Sequence, residues 1–235
     1  MRANAKRSIA SFRAAVLDPY ASSVVLDLRF NGEHNSTTDV DSSSYARTVS
    51  VFGGAKISKD QWVEGGSSCV FDGTNSYLTC PYSTDLDFPG DFTLEFWLCP
   101  STVTGNQGLL VKRNMATTGV GSWGLQLEGA GPRFTNLNTI SSFLCGVVTA
   151  NAQNHVAVSR IGSTIRGYTN GKFFASMSDS TNFNYNNSLY IGVWGYAASP
   201  PAAPNTLTQF LGGFKDRLRI TKGVGRYLAD FAPPI

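Results

Sequence analysis

The stretch "DFTLEFWLCP", Asp91 to Pro100, decides the fold by its alternation. Phe92, Leu94, Phe96 and Leu98 form one apolar row, while Thr93, Glu95, Trp97 and Cys99 form the other. Successive side chains of a strand point to opposite faces, so the pattern describes a strand with one face in a core. The second row sets a carboxylate beside a tryptophan. That pair suits a sugar-binding platform, half of a glycosidase active site, or ordinary sheet surface.

Similar runs lie on both sides. "SVVLDLRF" (Ser23–Phe30) places Val24, Leu26, Leu28 and Phe30 on one face. "SSCVF" and "SYLTC" flank "DGTN", which predicts a hairpin through Asp72-Gly73. "GLLVKR" (Gly108–Arg113), "SWGLQLEG" (Ser122–Gly129), "NHVAVSR" (Asn154–Arg160), "STIRGYTNGKFFAS" (Ser163–Ser176), "SLYIGVWG" (Ser188–Gly195) and "FKDRLRIT" (Phe214–Thr221) complete the set. Asn170-Gly171 is a strong hairpin signal, because both central residues of a type I′ turn need positive φ. Many short strands without a fixed-period repeat predict an all-β, two-sheet antiparallel sandwich of the jelly-roll kind. It is read as one domain over residues 19–235, with "SPPAAPNT" (Ser199–Thr206) as an exposed loop between two strands.

Composition agrees. Only 15% of the 235 residues are charged while 42% are hydrophobic and 12% aromatic, which sets the chain apart from disordered sequences. A net charge of +3 is too small to imply nucleic-acid or membrane binding across the domain. Cys69, Cys80, Cys99 and Cys145 show no metal-ligand spacing. Cys69 and Cys80 fall on two strands read as neighbours, so a disulfide between them is geometrically conceivable; four packed thiols are the simpler reading. The first 18 residues form a basic segment with Arg2, Lys6, Arg7 and Arg13, and Ile9, Phe12 and Val16 at helical spacing before Pro19. It is expected to be a docking arm for a partner, helical or flexible. It has no apolar h-region, so synthesis in a cytoplasm is expected, and no stretch has the length of a membrane-spanning helix.

Five runs in order resemble the concanavalin A-like lectin/glucanase superfamily, in the laminin-G-like form found in phage structural proteins. They are "DPYASSVVLDLRFNG", "GGSSCVFDGTNSYLTCPYSTDLDFPGDFTLEFWLCP", "NHVAVSRIGSTIRGYTNGK", "LYIGVWG" and "GGFKDRLRITKGVGRYLADFAPP". The resemblance implies two antiparallel sheets, one concave, with Arg226, Tyr227 and Phe231 anchoring the last extended segment. Pro233-Pro234 cannot continue a ladder.

Hydrolases of the superfamily use two carboxylates on one strand face, roughly 5 Å apart in the retaining kind. Glu95 stands alone on its face, with Asp91 the nearest acid of matching parity, so no catalytic residue is assigned. His34 and His155 have no nucleophile elbow nearby, and His155 reads as a packed core histidine. "GVGSWG" (Gly119–Gly124) satisfies a dinucleotide-binding spacing but lacks the strand–helix context, and reads as a turn. For glycan binding, Glu95, Trp97, Trp123, Gln126, Trp194 and Tyr196, with Asn106, supply stacking rings and hydroxyl partners. Tryptophans that fill the core or brace loops are the alternative. Calcium is the one cofactor the resemblance brings in, through Asp39, Asp41 and Asp216, with solvated turn residues as the alternative. Asn31 and Arg217 stand where acidic partners are expected, which removes negative charge from such a site. Arg217 and Arg219 share a face of "FKDRLRITK" and read as solvated or subunit-facing, since no aromatic platform accompanies them.

The resemblance therefore implies a non-catalytic phage virion component, a head-decoration or tail-appendage protein in a multi-copy or homo-oligomeric assembly with other virion proteins. The second reading is a carbohydrate-binding adhesin for host-surface glycan, and the third a glycan-degrading hydrolase.

Overall fold

The computed structural model describes residues 18–113, 120–195 and 207–235. The docking-arm residues Arg2, Lys6, Arg7, Ile9, Phe12, Arg13 and Val16, the proline-rich loop and Tyr196 lie outside the described residues. The described chain forms fifteen strands and two short 3-10 turns. In chain order these are β1 (Val24–Leu28), β2 (Ser50–Phe52), β3 (Lys56–Ser58), β4 (Ser68–Asp72), β5 (Tyr77–Cys80), β6 (Phe92–Pro100), β7 (Asn106–Lys112) and β8 (Trp123–Glu128). There follow β9 (Gly131–Asn136), β10 (Ser141–Leu144), β11 (Asn154–Ile161), β12 (Thr164–Thr169), β13 (Lys172–Ser178), β14 (Leu189–Ile191) and β15 (Gly212–Lys222).

Two antiparallel sheets face one another. The eight-stranded sheet runs β13-β12-β11-β6-β15-β4-β3, with β1 also paired to β15. The seven-stranded sheet runs β10-β9-β8-β7-β14-β5-β2. β6 lies between β11 and β15 with both edges paired. Its apolar row, Phe92, Leu94, Phe96 and Leu98, is wholly buried in the core between the sheets, as the alternation predicts. Leu26 and Leu28 of β1, Leu125 and Leu127 of β8, Val156 and Val158 of β11, and Leu218 and Ile220 of β15 share that core. Each such side chain contributes roughly 1.5–3 kcal/mol on burial. Cations also enter this core: Lys215 is fully buried, donates from Nζ to the Leu109 carbonyl at 2.9 Å, and lies 3.9 Å from the Phe96 ring centroid, and Arg160 lies over the Phe92 and Phe183 rings.

Turn chemistry explains one connection and corrects another. Asn170 and Gly171 take φ of 53° and 73° and join the paired strands β12 and β13, as expected of a type I′ hairpin. Asp72-Gly73 makes an equally tight turn, in which Asp72 Oδ1 accepts from the amides of Thr74, Asn75 and Ser76. Yet β4 and β5 do not pair: β4 belongs to the eight-stranded sheet and β5 to the seven-stranded one. The turn is a corner between sheets, not a hairpin. Cys69 and Cys80 therefore sit on opposite sheets, and all four cysteines are free and buried. The β9–β10 connection carries a strained residue: Ile140 is 63% exposed at φ 60°, a region β-branched residues avoid.

Candidate functional site

The outer face of the eight-stranded sheet carries the second row of β6. Register places His155 of β11 beside Trp97 and Arg219 of β15 beside Glu95, while Asp27 of β1 pairs with Arg219. Glu95 is 1% exposed and is the hub of this face. Its Oε1 accepts from Arg219 Nε at 2.8 Å and its Oε2 from the Tyr227 hydroxyl at 2.6 Å, while His155 Nε2 lies 3.4 Å from Oε2. Burial alone would raise its pKa; His155, the Arg219 charge and the Tyr227 hydroxyl more than offset that and hold the carboxyl at about 2. Asp18 extends the network, accepting from Arg219 Nη1 at 3.1 Å and from Arg226 Nη1 and Nη2 at 2.9 Å each.

The chain's own C-terminal segment covers this face. After Gly223 (φ 78°) it leaves the ladder, and Arg226 and Tyr227 donate their amides to Thr93 Oγ1 at 2.9 Å and Ser159 Oγ at 3.3 Å. Tyr227 and Phe231 stack with centroids 3.5 Å apart, and Phe231 meets His155 and Tyr168 edge-on. Trp97 Nε1 donates to the Pro234 carbonyl at 3.0 Å. Arg226, Tyr227 and Phe231 are thus the anchors the sequence predicts. His155 is buried, but beneath this segment and not in the core between the sheets. A shallow recess remains, lined by Asp27, Glu95, Trp97, His155, Arg217, Arg219 and Pro234.

This arrangement corrects two expectations. Glu95 and Trp97 are not an open sugar platform, because their polar atoms are occupied by the C-terminal segment. Arg217 and Arg219 are not solvated: Arg217 (φ 48°), in a β-bulge, pairs with Glu64, and Arg219 lies between Glu95 and Asp18.

The expected calcium ligands are not brought together. Asp41 uses both oxygens on the amides of Asp27, Ser43 and Arg47 and on the Ser43 hydroxyl. Asp216 Oδ2 accepts from the amides of Val63 and Glu64, and burial pushes its carboxyl up to about 6. Asp39 is pushed by burial to about 7. Among the described residues no three His, Cys, Asp or Glu side chains are placed to hold a metal. Asp41, with both oxygens taken up by amides and a hydroxyl, has little left to offer a dication.

The remaining glycan candidates divide. Trp123 fills the core against Phe88 and Phe134, so its ring is closed to ligands. Gln126 and Trp194 belong to the outer face of the seven-stranded sheet, but Trp194 is buried there, 7% exposed, so of the two only Gln126 is accessible to a ligand. The Trp194 ring lies on Gly124 so closely that a Cβ there would come within 2.4 Å of it. Trp194, Val111 and Leu137 cluster together with Tyr190 against them. From Tyr190 the aromatic surface continues: Tyr77 lies 6.4 Å away, Phe52 stacks on Tyr77 at 4.6 Å and 5°, and Phe210 flanks Tyr77 at 6.3 Å. Phe52 is 40% exposed. Alternation could have found Phe52 and Tyr77, since each stands out of phase with a core residue, Val51 and Leu78. Their strands are short, and sequence does not join β2 to β5.

No sequence relative was found among curated proteins. Solved structures of similar fold include the binding domain of Paraclostridial Mosquitocidal Protein 1 (TM-score 0.64, 14% identity, 86% of this chain and 49% of that one). A botulinum neurotoxin DC binding domain in complex with rat synaptotagmin II follows at 0.60 and 12%, over 86% and 48%. A structure of botulinum neurotoxin type C, described as depending on two ganglioside molecules for entering cells, stands at 0.61 and 14%, over 86% and 48%. The chain spans about half the length of these structures, and the likeness is one of fold. A laminin-G family model (Laminin_G_3) of the concanavalin A-like lectin/glucanases superfamily matches residues 72–210, more than half of the chain, from the β4 corner to the rim of the aromatic surface. With both sheets of the sandwich and this match in hand, the chain belongs to the concanavalin A-like lectin/glucanases superfamily.

Proposed function

We propose that the domain is a non-catalytic recognition module for host-surface carbohydrate, binding through the outer face of the seven-stranded sheet. The observation that carries this reading is the contiguous aromatic surface of Phe52, Tyr77, Tyr190 and Phe210, which no strand of the described chain covers. Rings of this kind pack against the C–H faces of sugars, and surface aromatic patches mark binding sites. One protein of similar fold supports the reading: botulinum neurotoxin type C depends on two ganglioside molecules for cell entry.

Hydrolysis is the weaker alternative. A general acid needs a pKa raised toward the working pH. Glu95, held at about 2, buried and engaged by Arg219 and Tyr227, can neither give a proton nor meet a substrate. The virion-component reading rests on sequence resemblance alone; an adhesin carried on a virion is compatible with both. The test is a glycan array probed with the full chain and with Phe52→Ala and Tyr77→Ala. Retention on specific glycans that both variants lose supports the reading, and retention that neither variant alters refutes this surface as the site.

A further inference from the structure

We infer that the edge strand β13 is a self-association surface, on which a second copy of this chain pairs antiparallel and extends the eight-stranded sheet across a two-fold axis. An unpaired strand edge offers a row of amides and carbonyls to any other strand, and proteins blunt such edges by shortening, charging or covering them. β2, β3 and β10, which end the sheets elsewhere, span three, three and four residues. β13 spans seven, and among the described residues no strand pairs with its outer edge. Ala175 and Met177 pack toward the core, while Phe173 and Phe174 are 47% and 51% exposed. The strand holds no proline, and its one charged residue, Lys172, is paired with Asp230. Asp230 also accepts from the Phe173 amide at 2.9 Å, so the free stretch runs from Phe174 to Ser178.

The occupant is a second copy because this stretch complements itself. Set antiparallel about Ser176, Phe174 faces the partner's Ser178 and Ala175 the partner's Met177, with no charge anywhere in the pairing. Ile140 supplies the other half of the fit. β10 lies alongside β13, and Asn136 Nδ2 donates to Asp179 Oδ2 at 2.7 Å, which holds the β9–β10 connection at the Ser178 end of β13. The same two-fold brings the strained, exposed Ile140 of each copy toward the Phe174 end of the other. An exposed isoleucine at positive φ is costly in a lone domain and useful in an interface. Phe173, Phe174 and Ile140 of two copies offer on the order of 600 Å² of apolar surface. With the strand edges the contact comes to about 1,000 Å², enough for a reversible dimer. The axis of such a pair stands perpendicular to the sheets, so the surfaces around Phe52 and Tyr77 in both copies look the same way and can engage one target together. The pairing itself does not depend on what those surfaces bind.

The experiment is sedimentation equilibrium of the full chain from about 1 to about 200 μM, beside Ser176→Lys, Ser176→Glu and their equimolar mixture. Ser176 is exposed and lies on the axis, so each variant sets like charges face to face without touching the monomer's core. The expected result is a monomer–dimer equilibrium for the unsubstituted chain, a dissociation constant raised at least tenfold in each variant, and dimer restored in the mixture. Ile140→Asn should raise the thermal midpoint of the dilute monomer and still weaken the dimer at least threefold, a combination that a purely structural residue does not give. An unsubstituted chain that stays monomeric throughout overturns the inference and leaves β13 to an extended peptide of another protein. A dimer that Ser176→Lys leaves as tight, or one lost in both variants and not restored in their mixture, overturns it as well.

Discussion

Replacing Glu95 by glutamine keeps the shape of the side chain and removes its charge, and so isolates what the hub contributes. The folded-state pKa of about 2 lies well below the ordinary 4.5. A gap of that size corresponds to about 3 kcal/mol of stability held by the ionised form. Because the folded value is depressed, this stability is fully present above the unfolded pKa and is lost as pH falls through about 2. Glu95→Gln should therefore cost about 3 kcal/mol at pH 7 and progressively less below pH 4. Urea unfolding of both proteins from pH 2.5 to 7 measures the difference, with Tyr fluorescence following the C-terminal segment. A double-mutant cycle with Tyr227→Phe should show coupling above about 1 kcal/mol, since the two side chains share a 2.6 Å hydrogen bond. A cost below about 1 kcal/mol at pH 7, or one that does not shrink on acidification, would refute the assignment of Glu95 as an ionised structural hub.

Two further substitutions test the core and the strained turn. Lys215 is pushed down to about 7 by burial, so its charge weakens the fold most below pH 7 and progressively less as pH rises toward the unfolded value. Lys215→Met should stabilise by on the order of 4 kcal/mol at pH 6 and by about half that near pH 9, read from denaturation midpoints. Ile140→Asn should stabilise by about 1 kcal/mol in thermal unfolding, because asparagine tolerates the positive φ that isoleucine resists.

Much of the sandwich is legible where a strand's neighbours obey a period of two. β6, β11 and the Leu218–Ile220 end of β15 announce their core faces residue by residue, and Asn170-Gly171 announces its hairpin. Asp72-Gly73 misleads for a physical reason: the turn's hydrogen bonds are local to residues 72–76 and identical whether the next strand returns to the same sheet or crosses to the other. The site is harder to read. Glu95 meets Arg219 and Tyr227, partners 124 and 132 residues away, so a carboxylate that alternation marks as outward-facing is in fact enclosed. Trp123 illustrates the same limit in reverse: its parity with Leu125 and Leu127 marks it for the core, and only its residue type suggests a ligand.

Asp18, Arg219, Glu95 and Arg226 hold the start of the described chain and its C-terminal segment on one sheet face. Tension applied between residue 18 and the C-terminal end therefore falls on ion pairs and a tyrosine hydroxyl before any β-ladder is loaded. Such contacts break singly, and the segment beyond Gly223 can peel away while both sheets stay closed. The seven-stranded sheet with its aromatic row bears none of that load, so a domain tugged at its ends would lengthen by a few nanometres and keep its grip.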